Sequence, residues 1–312
     1  MAYVADITNR KIDKGKFRLF KNVYNKDESR AGWLFSLPAV VLAILFIILP
    51  IFISLFYAFT DAGYDYIHFN FSLANFPRIF KDKTVWIALK NTFQFVIEVL
   101  PLQFGAALGL ALILNKVRKC NTFLRWAFFA PVMLSLAVTS FLWLNLLNEQ
   151  EGLINALLAA LGLGTHKFLG SQREAMHTIV FISAWQGAGY QMLIILAALK
   201  NIPKDLYEAA SIDRASKWKQ FWHITLPSIK PTLVFIFITM LIGAFRICTQ
   251  IMIMTPNGGV EYSTMTMSYY IYLNGIKYND LSYSSALALM FTIIMAAISL
   301  TLRKVLNDNS NV

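Results

Sequence analysis

Cysteine and charge are both scarce in this sequence. It holds two cysteines in 312 residues, Cys120 and Cys248, and only 14% of its residues are charged. One thiol lies in a polar connecting segment and the other in an apolar run, so no structural disulfide is expected. No Gly-x-x-x-x-Gly-Lys-Ser/Thr run occurs; the nearest fragment, Gly15-Lys16-Phe17, lacks the first glycine and the hydroxyl. Without that phosphate-cradling loop, P-loop nucleotide hydrolysis in this chain is excluded. The four histidines are scattered, and no His/Cys cluster stands at metal-ligand spacing. A nucleophile elbow and a carboxylate pair on one helix are also missing, so the residues present no metal site and no hydrolytic constellation.

What the chain has is apolar surface. It is 57% hydrophobic with a mean hydropathy of +0.54, more than a soluble domain of this length could bury. Six apolar stretches recur: Trp33–Thr60, Trp86–Leu114, Phe123–Leu147, Ala175–Leu199, Pro231–Met254 and Ser284–Leu302. Each can cross a hydrocarbon core of about 30 Å as a helix that satisfies its own backbone, whereas barrel strands would be about 9–11 residues of alternating polarity. An all-α membrane protein with six transmembrane helices is expected.

The formal charge of +11 is topological. Twenty of the 28 Lys and Arg fall in residues 1–32, 115–125, 200–230 and the end after Leu302; the three alternate connections hold six. The positive-inside rule then makes both termini and the two basic loops cytoplasmic, and the basic excess implies no nucleic acid. The expected organisation is a basic cytoplasmic arm (1–32), a six-helix domain (33–303) with a cytoplasmic loop at 200–230, and a cytoplasmic tail (304–312). The arm reads as a solvated tail drawn to anionic membrane lipids, and no cleaved signal peptide is expected. Tyr64, Tyr66, Phe69, Phe71 and Phe76 in the first outer connection, and Tyr262, Tyr269, Tyr270, Tyr272 and Tyr278 in the third, form an aromatic rim. That rim is either an interfacial belt or a sugar-facing vestibule. Gly152–Gly162 has helical apolar spacing and reads as a short surface helix.

The 200–230 segment is more than a connector. Pro203, Asp205 and Glu208 suit a helix start, and Leu206, Ala209, Ala210 and Asp213 share a face. Trp218, Phe221 and Trp222 then recur at i, i+3 and i+4 from about Ser216, predicting a second helix that rests on the bilayer and ends at Leu226-Pro227, with Pro231 opening the next span. Small residues at the tip of such a hairpin permit close docking by a partner.

Glu208-Ala209-Ala210-Ser211-Ile212-Asp213-Arg214-Ala215-Ser216, continued by Trp218, Phe221, Leu226-Pro227 and Pro231, resembles the Glu-Ala-Ala loop of inner-membrane permeases of binding-protein-dependent ABC importers, in their carbohydrate-uptake branch. Asn91-Thr92, Pro131, Ala197-Ala198-Leu199 and Ile202-Pro203 extend the resemblance over nearly the whole chain. It implies a type I ABC importer permease fold in a bacterial-type inner or plasma membrane, and sugar import by alternating access. The implied partners are a second homologous permease in a heterodimer, two cytoplasmic ATPases and an external solute-binding protein. The chain itself would carry no cofactor, ATP and Mg belonging to the ATPases. Glu208, Ala209, Ala210, Asp213 and Arg214 carry over as ATPase-coupling residues. Arg214 departs from the family's glycine, so a left-handed turn there would be strained.

Polar residues inside spans are costly and usually face the bundle interior. Glu98 lies midway in span two, as a partner within the bundle or a proton relay; Trp185, Gln186, Tyr190 and Gln191 cluster with Gly187 and Gly189 in span four; Arg246 and Gln250 stand at i, i+4 in span five. They are candidates for the substrate pathway, with helix packing and snorkelling as the competing roles. Alternatives for the whole chain are an ABC permease for glycerol-phosphate or another polar nutrient, an ion-gradient transporter using Glu98, or a membrane enzyme.

Overall fold

Apolar runs of this length fold as helices because no other structure satisfies their backbone without water. In the computed structural model, which describes residues 26–61, 70–116 and 121–308, the one β-bridge among the described residues joins Thr60 and Phe71. The described residues divide into two compact units, one up to Ile53 and one from Ser54 onward. In the first, α1 (Lys26–Ala43) passes through a π-turn at Ile44–Ile48 into the start of α2 (Leu49–Ala58). The second holds α3 (Asn75–Lys81), α4 (Lys83–Lys116), α5 (Asn121–Met133), α6 (Leu136–Leu146), α7 (Leu153–Ala160) and α8 (Ala175–Lys200). It continues with α9 (Lys204–Ile212), α10 (Lys217–Gln220), α11 (Leu226–Phe245), α12 (Thr249–Met254), α13 (Met267–Tyr272) and α14 (Leu281–Asp308). The expected basic arm lies outside the described residues up to residue 25, as do Tyr64, Tyr66, Phe69 and Cys120.

Among the described residues, five helical segments are long and apolar enough to cross a membrane: Gly32–Ala58, Lys83–Lys116, Ala175–Lys200, Lys217–Met254 and Leu281–Leu302. The sixth span is a bent pair, Thr122–Met133 with Leu136–Leu146, turned by 96°. It is not the single straight helix expected from its hydropathy. Pro131 removes a backbone donor just before the bend, and the Ser135 hydroxyl accepts from Val138 N at 3.2 Å to cap a fresh helix.

The core of the second unit is the packing of α8 along α4. Ala88, Thr92, Phe95, Val99, Ala107, Ala111 and Leu114 recur at helical spacing on the buried face of α4. More than half of the central part of α8 is buried, including Ile179, Met192, Ile195 and Leu199. Gly189 lets α5 approach α8 closely, since a Cβ there would overlap the carbonyl oxygen of Phe128.

A second interruption falls in span five. The helix stops at Phe245, passes through Arg246–Cys248 in non-helical geometry and resumes at Thr249. Arg246 and Gln250 therefore do not share a face of one continuous helix. Two carbonyls at the break find hydroxyls from the segment after α12: Ser268 Oγ donates to Phe245 O and Thr266 Oγ1 donates to Ile247 O, both at 3.0 Å.

That segment, residues 255–280, is folded onto the N-terminal part of α4. Asn91 Nδ2 donates to Tyr262 O at 2.7 Å and Met265 O at 3.0 Å, and Met267 N donates to Thr92 Oγ1 at 2.9 Å. Tyr270 and Tyr283 both donate to Asp82 Oδ2, at 2.6 and 2.8 Å. Burial raises the Asp82 pKa, but these bonds and those from Thr84 outweigh it and leave the carboxyl below its ordinary value. Tyr270 is correspondingly pushed up to about 12 by burial and by its bond to Asp82. Arg78 pairs with Asp280 at 2.7 Å and sits over the Tyr283 ring at 3.8 Å. Tyr269 is buried, its hydroxyl accepting from Asn257 N. Tyr269 and Tyr270 therefore turn inward, while Tyr262, Tyr272 and Tyr278 keep the exposure expected of a rim.

Candidate functional site

The two broken spans open on the same space. A cavity of about 390 Å3 lies between α4, the α5–α6 bend, α8 and the α11–α12 break. Its polar lining includes Gln103, Gln186, Gln191, Arg246, Cys248 and Gln250, and no carboxylate lines it. Gln191 contributes an Oε1 that is buried and has no partner.

Gln186 joins the two breaks. Its Nε2 donates to Leu134 O, at the bend of span three, at 3.2 Å and to Thr139 Oγ1 at 3.1 Å. Its Oε1 accepts from Gln250 Nε2 at 3.3 Å, and Ser183 Oγ donates to Gln250 Oε1 at 2.6 Å. Gln186 thus occupies the Leu134 carbonyl that the bend releases, as the Thr266 and Ser268 hydroxyls occupy those of the span-five break, which is the condition for irregular backbone at membrane depth.

Four sequence candidates, Gln186, Gln191, Arg246 and Gln250, are brought together in this cavity. Trp185 and Tyr190 are not among its lining. Trp185 packs edge-on against Trp143 at 5.5 Å beside a separate, apolar cavity, and Tyr190 is 54% exposed. Glu98 also lies elsewhere. Its Oε2 meets His177 Nδ1 at 2.8 Å and its Oε1 accepts from Gln94 Nε2 at 3.0 Å. His177 is only two residues into α8, so Glu98 stands level with the start of that helix rather than midway along the bundle. Gln103, Ser183 and Cys248 line the cavity and were not singled out in the sequence; the rule that flagged Gln186, a polar group inside an apolar span, would have found Gln103.

At the far end of α8 the chain forms the expected helical hairpin. α9 leaves Glu208 and Ala209 exposed and Ile212 83% exposed, while Tyr207 turns back to Thr225, its hydroxyl 2.8 Å from Thr225 Oγ1. The turn keeps the left-handed geometry usual for glycine: Arg214 has φ +55°. Ala215 N donates to Ala210 O at 2.9 Å and Arg214 N to Ser211 O at 3.1 Å, the paired bonds of a Schellman motif. Gln220, buried, ties the two arms by donating to Ser211 Oγ and Ala215 O. The second arm does not end at Pro227 as the sequence suggested. α10 runs through a π-turn at Phe221–Thr225 into α11, and the wider turn accommodates the donor that Pro227 lacks.

Replacing Arg214 by glycine removes the Cβ strain of the left-handed residue, and about 1 kcal/mol of local stabilisation is expected. The Ala215 amide should then exchange with solvent about fivefold more slowly. Faster exchange in Arg214→Gly would show that the arginine side chain, rather than the backbone motif, holds the turn.

Residues 107–307 match the family model described as "Binding-protein-dependent transport system inner membrane component". The chain belongs to that family. This permease is a multi-pass membrane transport subunit and not an enzyme. It is 30% identical to the arabinooligosaccharides transport system permease protein AraP of Bacillus subtilis (strain 168), over 86% of each chain. With the lactose transport system permease protein LacF of Rhizobium radiobacter it shares 32% identity, over 86% of this chain and 91% of that one. A solved structure of a bacterial alginate ABC transporter, in complex with alginate pentasaccharide-bound periplasmic protein, contains a chain of the same fold. The TM-score is 0.81 at 24% identity, covering 91% of the permease and 97% of that chain.

Proposed function

We propose that this permease is one half of the translocation pathway of a sugar importer, that the cavity at the two breaks receives a di- or oligosaccharide, and that the α9–α10 hairpin couples it to ATP hydrolysis. The cavity carries the proposal: amides and hydroxyls converge on a space bounded by two interrupted helices, and sugar hydroxyls need donors and acceptors of that kind. The arabinooligosaccharide and lactose relatives support a saccharide as the solute. In this assembly a second, related permease completes the pathway, an external binding protein delivers the sugar, and two ATPases holding ATP and Mg dock on the hairpin. The charge distribution supports a cytoplasmic hairpin and cytoplasmic termini. Exposed Glu208, Ala209, Asp213 and Arg214, with half-buried Ala210, form the coupling tip. An ion-gradient mechanism has less support, because the cavity is lined by no carboxylate and Glu98 is engaged with His177.

Cys248 is partly exposed and lines the cavity, which provides the test. In a Cys120→Ser background, a panel of neutral and acidic di- and trisaccharides is offered to the assembled importer while Cys248 is alkylated. At ten times its half-saturating concentration, a transported sugar is expected to slow alkylation about tenfold. If no transported sugar protects Cys248, the cavity is not the substrate site. Uptake that survives ATP depletion but collapses with an ionophore would remove the ABC mechanism altogether.

A further inference from the structure

Arg246 is the one cationic side chain lining the cavity, and it has no acidic partner among the described residues. Its setting is unusual for a charge in a membrane-spanning segment. It sits on the span-five break, some twenty residues into the helix from Leu226, with its side chain exposed to the cavity. A guanidinium within a membrane-spanning segment is rare, and it is retained where it faces a pathway and meets an anion. Every other polar group lining the cavity is neutral: the amides of Gln103, Gln186, Gln191 and Gln250, hydroxyls such as those of Ser183 and Thr249, and the Cys248 thiol. Of these, Gln186, Gln250 and Ser183 are already committed to one another, which leaves Arg246 as the strongest free donor facing the cavity.

We infer that Arg246 selects a solute bearing a negative charge, the guanidinium forming a bidentate pair with a carboxylate such as that of a uronic acid residue. The inference rests on the cavity being the substrate site. Planar, forked donors match a carboxylate better than they match scattered sugar hydroxyls. In a cavity with no other charge, nothing competes for the anion and nothing else compensates the arginine. The same carboxylate chemistry could come from an acidic side chain of the second permease, and the experiment separates the two sources.

The assembled importer, in the Cys120→Ser background, is compared with Arg246→Gln and Arg246→Lys using arabinotriose as the neutral probe and trigalacturonate as the acidic one. Protection of Cys248 from alkylation reports cavity occupancy, and co-purification of the second permease reports assembly. The wild type is expected to be protected by trigalacturonate at lower concentration than by arabinotriose. Arg246→Gln should raise the half-protecting concentration of trigalacturonate about 10- to 100-fold and that of arabinotriose by a clearly smaller factor. Arg246→Lys, which keeps the charge but not the fork, should fall between. Equal losses for both probes, or protection by arabinotriose alone, overturn the inference and leave the cavity reading intact. Loss of the second permease from Arg246→Gln assigns the guanidinium to a carboxylate of that subunit and also overturns it. Absence of protection by either probe, in an importer whose transported sugar also fails to protect, overturns the cavity reading and the inference together.

Discussion

Ala209→Trp is expected to reduce ATP-driven uptake at least about a hundredfold while the protein still inserts and folds. Ala209 lies on the exposed face of α9, which buries none of its residues. The fold-preserving contacts are elsewhere, at Tyr207 with Thr225 and at Gln220 with Ser211 and Ala215. Tryptophan at this position costs the helix only about 0.5 kcal/mol in propensity. The damage falls on docking: a partner surface shaped to a small side chain cannot accept an indole, and a loss of about 3 kcal/mol or more at that contact corresponds to the hundredfold effect. Glu208→Lys tests the same surface by charge, since it reverses the sign of an exposed group beside Ala209. Uptake, membrane level and co-purification of the ATPase are the three measurements. Normal uptake in both variants would sink the assignment of this hairpin as the coupling element.

Gly189→Ala, a change of one methyl group, is expected to destabilise the permease by about 1–3 kcal/mol or more and to lower its melting temperature in detergent by several degrees. The added Cβ would overlap the Phe128 carbonyl oxygen, a backbone atom, with the Phe129 Cα close behind. Neither can move without separating α5 from α8, and that separation would shift the Leu134 carbonyl from Gln186. Gly187, two residues earlier, provides the contrast. A Cβ there meets only the end of the flexible Gln103 side chain, which can rotate away. Gly187→Ala is therefore expected to melt near the wild-type temperature. Equal melting temperatures for the two variants would mean that α5 and α8 are not in close backbone contact.

Both effects depend on contacts that differ in how visible they are from sequence. The hairpin was legible because its determinants are local. Apolar and aromatic spacing sets the helix faces, whereas the left-handed geometry at Arg214 was raised only by the resemblance to a family glycine, and the Ala215 N to Ala210 O bond of the Schellman motif decided it. The spans were legible because crossing a membrane requires one long apolar run, which composition alone reveals. Their interruptions were only half visible. Pro131 and Ser135 mark the bend in span three, but nothing in Phe245–Thr249 distinguishes it from continuous helix. That break is stabilised by Thr266 and Ser268, which the chain brings back after α12.

Depth was another such quantity. Glu98 appears central when α4 is considered alone, but α4 has 34 residues, about 51 Å of helix, and α8 has 26, about 39 Å. Their offset puts Glu98 beside the first turn of α8, so position along a helix did not give position in the bundle.

From the sequence alone came the six spans, the hairpin with Glu208-Ala209-Ala210 on its first arm, and the absence of P-loop machinery for ATP hydrolysis. Each depends on residue type, spacing or charge counted along one segment. The tertiary structure alone decided that spans three and five are broken, that Gln186 bridges the two breaks, and that Arg246 faces a cavity from which Trp185, Tyr190 and Glu98 are absent. Those features come from groups on four different segments satisfying one another's released carbonyls and amides, and a one-dimensional pattern does not specify which of them meet.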